Sequence, residues 1–125
     1  MKASAPPDSD AAKKTVGTLK LNSDFRRAYM RGKSYTDPAL VVYVIKNRAG
    51  LCRIGITTSK KIGNAVQRNR ARRVIREAFR TLPGSVKPGY DLVFVARTKT
   101  VYRTSTQIRE VIGRLLSLAN VLEAA

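Results

Sequence analysis

The sequence predicts an α+β fold: a small two-layer sandwich with a three-to-four-stranded sheet and three helices. Three observations carry this expectation. Two stretches, 71–82 and 108–122, repeat apolar residues at i, i+3, i+4, the spacing of a helix with one buried face. Runs at 39–46, 51–58 and 90–97 are short and rich in β-branched residues, as strands are. The order strand, helix, strand across 51–97 makes a crossover unit, whose two strands can be parallel. The 125 residues suit one domain, and no internal repeat is visible.

The elements follow in chain order. Residues 1–17 carry Ala, Pro, Ser, Asp and Lys without periodicity and read as a flexible tail, which leaves 18–125 as the domain. In "NSDFRRAYMRG" (22–32), Asn22 or Ser23 can cap a short helix, Asp24 suits its first turn, and Gly32 can end it. Phe25, Ala28 and Tyr29 give that helix one apolar face. "ALVVYVIK" (39–46) and "LCRIGITT" (51–58), joined by "NRAG", read as an antiparallel hairpin. The basic segment then carries Ala71, Val74, Ile75, Ala78, Phe79 and Leu82 as one stripe, and Pro83-Gly84 stops its helix. "YDLVFVAR" (90–97) is a further strand, and the last helix closes the core with Ile108, Val111, Ile112, Leu115, Leu116, Ala119 and Leu122.

Composition narrows the function. Twenty-five Lys and Arg oppose eight Asp and Glu, for a net charge of +17, which favours a polyanionic partner. At 43% hydrophobic the chain is too apolar for a wholly disordered basic tail, so a folded nucleic-acid-binding domain fits better. Binding to an anionic membrane surface fits less well, and no apolar run approaches the ~20 residues that span a bilayer. The N-terminus lacks the apolar core of a secretory signal. With one cysteine, Cys52, the expectation is a cytoplasmic protein. There is no histidine, the commonest general base and metal ligand. The acids are scattered, and only Asp8 and Asp10 are close in sequence. No catalytic or metal-binding residue is therefore assigned to the protein itself.

"SKKIGNAVQRNRARRVIREAFR" (59–80) is the most informative stretch. From Lys60 to Arg80 it sets eight cations against one acid, Glu77. At about 100° per residue from Arg68, the apolar stripe centres near about 300°, and most of the cations spread from about 0° to 140°. Like charges at i, i+4 cost ~0.2–0.5 kcal/mol per pair in an isolated helix, and the sequence accepts this without interleaved acids. Six of the eight are Arg, whose planar donor fork grips phosphate and stacks on bases. Asn69 can read a base edge or a 2′-hydroxyl. The helix N-terminus after Lys60, Lys61 and Gly63 is a further phosphate site, since its free amides point outward.

These residues resemble the bacterial ribonuclease P protein family. The resemblance rests on Lys-Lys-x-Gly-Asn-Ala at 60–65, Arg-Asn-Arg at 68–70, and the Arg-Arg-x-x-Arg-Glu of 72–77. It extends through "LKLNSDFRRAYMRGKS" (19–34) and "GYDLVFVAR" (89–97), and covers roughly residues 18–118. Thr58 departs from it, standing where an aliphatic residue is usual, and the N-terminal tail is longer than usual. The resemblance implies a ribosomal protein S5 domain 2-like sandwich with a left-handed βαβ crossover, against the usual right-handed rule. It implies an endoribonuclease subunit that acts on precursor tRNA to remove the 5′ leader. The RNase P RNA subunit would perform the hydrolysis with Mg2+ bound mainly by RNA, and none tightly held by the protein. Lys60, Lys61, Asn64, Arg68, Asn69, Arg70, Arg72, Arg73 and Arg76 would face that RNA. Phe25, Tyr29 and Tyr43 would line a cleft for the single-stranded leader, where aromatic stacking beside a basic groove suits unpaired bases. No membrane and no small-molecule substrate is implied. The alternative is a ribosomal-type structural RNA-binding protein with no part in cleavage; a nuclease acting without RNA is a weaker rival.

Overall fold

The computed structural model describes residues 16–123, so the stretch read as a tail lies outside it except for Val16 and Gly17. Gly17 already belongs to the domain: it opens strand β1 (Gly17–Thr18). Helix α1 (Asn22–Arg31) follows, then β2 (Lys33–Asp37), β3 (Leu40–Lys46) and β4 (Arg53–Thr57). A short 3-10 turn at Lys60–Ile62 leads into α2 (Ala65–Arg80). After it come β5 (Ser85–Val86), β6 (Tyr90–Ala96), a second 3-10 turn (Thr98–Tyr102), α3 (Ser105–Leu118) and β7 (Leu122–Glu123).

The α+β class and the three helices are as expected. The main sheet has five strands in the order β1-β4-β6-β3-β2, and β5 and β7 form a separate antiparallel pair. The count exceeds three to four because β1 has two residues and β2 is "KSYTD", which buries no residue fully. Neither presents an apolar signal that a sequence reading can use.

The expected hairpin between 39–46 and 51–58 does not form. Strand β6 lies between its two arms, antiparallel to β3 (Val42↔Phe94) and parallel to β4 (Ile56↔Phe94). The physical reason lies in β6 itself. Leu92, Val93 and Phe94 are all fully buried, so this strand needs cover on both faces and takes the centre of the sheet. β4, which carries Arg53 and Gly55, pairs at β6's other edge, with only two-residue β1 beyond it.

Alternation then divides the molecule. Leu40, Val42, Val44, Leu92 and Phe94 face α2 and α3 and form the large core with Ile75, Phe79, Ile108, Ile112 and Leu116. Val93 faces the other way, into a small cluster with Leu19 and Ala28, flanked by Phe25, Tyr43, Ile45 and Val95. Helix α1 thus lies on the reverse face of the sheet, which puts a third partial layer on the sandwich.

Two end signals differ from expectation, and a third, Gly32, ends helix α1 as expected but by another route. Helix α1 is capped at Leu21 without a side-chain bond, so Asn22 and Ser23 sit inside the helix. Gly32 is not left-handed (φ −77°); a Cβ there would lie 2.5 Å from the Ala28 carbonyl oxygen and 3.0 Å from that of Val44. Its role is close approach as the chain turns straight into β2. Helix α3 stops at Leu118 because Asn120 adopts φ 60°, a left-handed conformation Asn tolerates, and Leu122 passes to β7 instead of extending the helical stripe.

One buried charge ties the reverse face together. Asp91 on β6 is fully buried and accepts from Arg53 Nε (2.8 Å), Arg53 Nη2 (2.9 Å), Arg27 Nη2 (3.1 Å) and Asn47 Nδ2 (2.6 Å). These bonds join α1, β4, β6 and the 47–52 connection, where a bare carboxylate would be costly. Cys52 lies beside this network. Burial, and then the Asp91 charge, push its thiol up to about 12 from an ordinary 9.0. A raised value means that the fold favours the neutral thiol. Its contribution is complete below pH 9.0 and is lost as pH rises through about 12. The expected result is slow alkylation of native protein at about pH 8, fast alkylation in denaturant, and a flatter loss of stability above pH 9 in Cys52→Ala. Native alkylation as fast as that of the unfolded chain would refute this.

Candidate nucleic-acid interface

The basic helix starts from a tightly built corner. Ile62 is buried and anchors the 3-10 turn, leaving Lys60 and Lys61, which precede it, exposed. Gly63 has φ 141°, and a Cβ there would lie 1.9 Å from Gln67 Oε1, so only glycine fits. Asn64 is the N-cap: its Oδ1 accepts from the Gln67 amide at 2.9 Å, while Gln67 Oε1 accepts from the Asn64 amide at 3.0 Å. This capping box engages both features. Asn64 is engaged in starting the helix, and the Gln67 amide is withdrawn from what the helix end could offer a phosphate.

Along α2 the apolar stripe is where the spacing put it. Ala71, Ile75, Ala78 and Phe79 are buried, Val74 is half-buried, and Leu82 is buried just beyond the helix. The cations divide by flank. Arg68 Nη1 donates to the Gly63 carbonyl at 2.7 Å, and Arg72 Nη2 donates to Thr58 Oγ1 at 2.8 Å. The hydroxyl of Thr58 thus holds Arg72 in place. Arg70, on the opposite flank, donates Nε to the Val101 carbonyl at 2.7 Å and so ties α2 to the 98–102 turn. Asn69, Arg73 and Arg76 are exposed and have no hydrogen-bond or ion-pair partner among the described residues. Arg80 grips Glu77 at 2.7 and 3.1 Å, and that hydrogen bond, with the Arg80 charge, holds the Glu77 carboxyl below its ordinary value.

A cleft runs between α1 and α2 over β4. One part, of about 350 Å³, is lined by Phe25, Tyr29, Ile56, Thr57, Thr58 and Arg72, with Asn22 at its rim. A second part, of about 220 Å³, lies beyond Phe25, between Leu19, Gly55 and the side chains of Arg72 and Arg76. Phe25 can lie on the sheet only because residue 55 has no side chain; a Cβ at Gly55 would sit 2.6 Å from its ring. Tyr29 is 40% exposed, and its hydroxyl bonds Thr57 Oγ1 at 2.6 Å. Tyr43 stands behind it, edge to face at 5.1 Å, and packs on the small cluster rather than lining the cleft.

The structure therefore brings Phe25 and Tyr29 together with Arg72 and Arg76. It places Tyr43 as support, leaves Arg73 and Asn69 on the outer face of α2, and turns Arg70 away. Sequence reading missed Thr57, Thr58, Ile56 and Gly55 as cleft residues. They are ordinary strand residues in pattern, and no spacing signal marks them.

Comparison with known proteins agrees over most of the chain. The family model described as Ribonuclease P matches residues 14–120. A ribonuclease P protein component from Clostridioides difficile is 43% identical over 104 residues, covering 82% of this chain and 91% of that one. One from Alkaliphilus oremlandii is 37% identical over 112 residues, covering 90% and 98%. The solved structure of the Staphylococcus aureus RNase P protein superposes with a TM-score of 0.72 at 34% identity, covering 85% of this chain and 97% of that one. The Thermotoga maritima RNase P protein gives 0.66 at 30% identity, covering 80% and 96%.

Proposed function

The chain belongs to the ribonuclease P protein family, and on that premise we propose that it assists removal of the 5′ leader from precursor tRNA by binding two RNAs at once. The catalytic RNA takes the outer face of α2, and the single-stranded leader takes the cleft. In this reading the RNA carries out phosphodiester hydrolysis and holds the Mg2+ it requires. Among the described residues no three acidic, histidine or cysteine side chains gather as a metal site, and no step is assigned to a protein-bound metal. The reading implies work in the cytoplasm, with no membrane and no small-molecule substrate.

The observation that carries it is shared cations. Arg72 and Arg76 belong both to the arginine bank of α2 and to the wall of a cleft that presents Phe25 and Tyr29. A strand leaving the catalytic RNA at α2 would meet guanidinium groups first and aromatic faces next, the combination that grips unpaired nucleic acid. A purely structural RNA-binding protein needs the bank but has no use for the cleft.

The test is a comparison of dissociation constants for precursor and mature tRNA with the enzyme assembled on a bacterial ribonuclease P RNA at low magnesium. Tyr29→Ala should weaken precursor binding by ~1–3 kcal/mol, the range for one stacked base, and leave mature tRNA unaffected. Tyr43→Ala should act in the same direction but less, since Tyr43 only braces Tyr29. Circular dichroism confirms the fold of each variant first. Equal loss for both tRNAs in a folded variant would sink the leader-cleft assignment. Failure of the protein to lower the magnesium requirement of the RNA would favour the ribosomal-type alternative.

A further inference from the structure

The 98–103 turn is a second surface of the same chemical kind, on the other flank of α2. At about 100° per residue, Arg72 lies about 40° round the helix from Arg68, toward the cleft, and Arg70 about 200° round, toward this turn. The turn is rigidly held. Val101 is buried, and its carbonyl accepts from Arg70. Thr100 is fully buried, donates its hydroxyl to the Ala39 carbonyl at 2.5 Å and accepts from the Arg97 amide at 2.9 Å. The turn as a whole packs against both α2 and the 60–62 turn that carries Lys60 and Lys61. From this fixed base Tyr102 projects with 73% of its surface exposed. Between Asp91 and Glu110 the sequence holds Arg97, Lys99, Arg103 and Arg109 and no acid; in space Lys99 and Arg103 share a groove with Arg114, Asp37 and Glu110, three cations against two acids.

We infer that Tyr102 is a stacking platform for an unpaired nucleotide of the catalytic RNA, extending the α2 interface onto the flank opposite the leader cleft. The inference rests on the function proposed above. An exposed tyrosine alone is ordinary on a protein surface. Here the ring stands on an anchored turn, so little conformational freedom is lost when a base stacks on it. The cations of that groove outnumber its acids, so the local balance stays positive and favours phosphate. Continuity with α2 through Arg70, together with the bulk of α2 between this turn and the cleft, assigns the nucleotide to the RNA that covers α2 and not to the leader.

The experiment measures affinity of Tyr102→Ala and Tyr102→Phe for a transcribed bacterial ribonuclease P RNA, with the salt dependence of each and the precursor-to-mature tRNA affinity ratio of the assembled enzyme. The expected result is a loss of about 5- to 150-fold for Tyr102→Ala, the range one stacked base supplies. Tyr102→Phe should bind like the parent, because it keeps the ring. The salt slope should be unchanged because no phosphate contact is lost, and so should the tRNA ratio. Parental affinity in Tyr102→Ala would overturn the inference while leaving the proposed function intact. A loss in Tyr102→Phe equal to that in Tyr102→Ala would overturn stacking in favour of a hydroxyl contact. A fall in the tRNA ratio would overturn the assignment to the catalytic RNA. If the unaltered protein fails to bind the RNA, the proposed function and this inference fall together.

Discussion

Phe79→Ala should lower the unfolding free energy of the free protein by ~3–5 kcal/mol, the cost of removing a buried aromatic side chain and leaving its cavity. Phe79 is 5% exposed, and its ring lies 5.7 Å from that of Phe94, the largest fully buried side chain of β6. The pair joins α2 to the central strand, so the loss falls where the helix is fastened to the sheet. Arg72→Ala is the matched control. Arg72 is half-buried and gives up one hydrogen bond, to Thr58, which sets a cost of ~0.5–1.5 kcal/mol. Its larger effect should be on assembly with RNA. Denaturant titration without RNA is the right measurement, since a ligand that binds only the folded state masks a stability loss by mass action. The reverse pattern, with Arg72 essential for stability and Phe79 only for binding, would mean that the two faces of α2 have been exchanged.

The faces of α2 are legible in the amino-acid sequence because burial is written strongly into helical spacing. Ala71, Ile75, Ala78 and Phe79 recur at the helical period, and one buried face leaves the rest for Arg73, Arg76 and Asn69. Strand order is written much less strongly. The residues 39–46 and 51–58 have the composition of a hairpin, and only the two-sided burial of Leu92, Val93 and Phe94 reveals that β6 must come between them. Those runs are short, and a buried strand with no alternation tells its neighbours little about which edge is theirs. The cleft was legible through resemblance and not through pattern. Phe25 and Tyr29 sit on an apolar helical face that packing alone would explain, and the feature that opens the cleft is the missing side chain at Gly55. The tie from Arg70 to Val101 is illegible for a related reason: a wheel gives an angle, but the 98–102 turn that occupies that angle comes from 28 residues further along the chain.

The affinity of the protein for its RNA should fall steeply with salt. Lys60, Lys61, Arg68, Arg72, Arg73 and Arg76 remain as the cations of the α2 face once Arg70, tied to Val101, and Arg80, tied to Glu77, are set aside. Each phosphate neutralised releases counterions, at ~0.7 per contact for single strands and ~0.9 for duplex. About six contacts give a log–log slope of roughly −4 to −5, so a fourfold rise in salt should cost several hundredfold in affinity. Variants separate the contributions. Arg73→Ala removes an exposed cation that bonds nothing described in the protein, and should reduce the slope by ~0.7–0.9 with stability unchanged. Tyr29→Ala removes a stacking face but no charge, and should leave the slope as it was. Arg70→Ala tests the division of the helix most sharply, because its guanidinium already serves the fold: the change should cost stability and alter the slope less than Arg73→Ala does. Titrations of the folded proteins against a bacterial ribonuclease P RNA across a salt series measure all three. A slope near zero would falsify the electrostatic account, and an Arg70→Ala slope change as large as that of Arg73→Ala would return Arg70 to the RNA face.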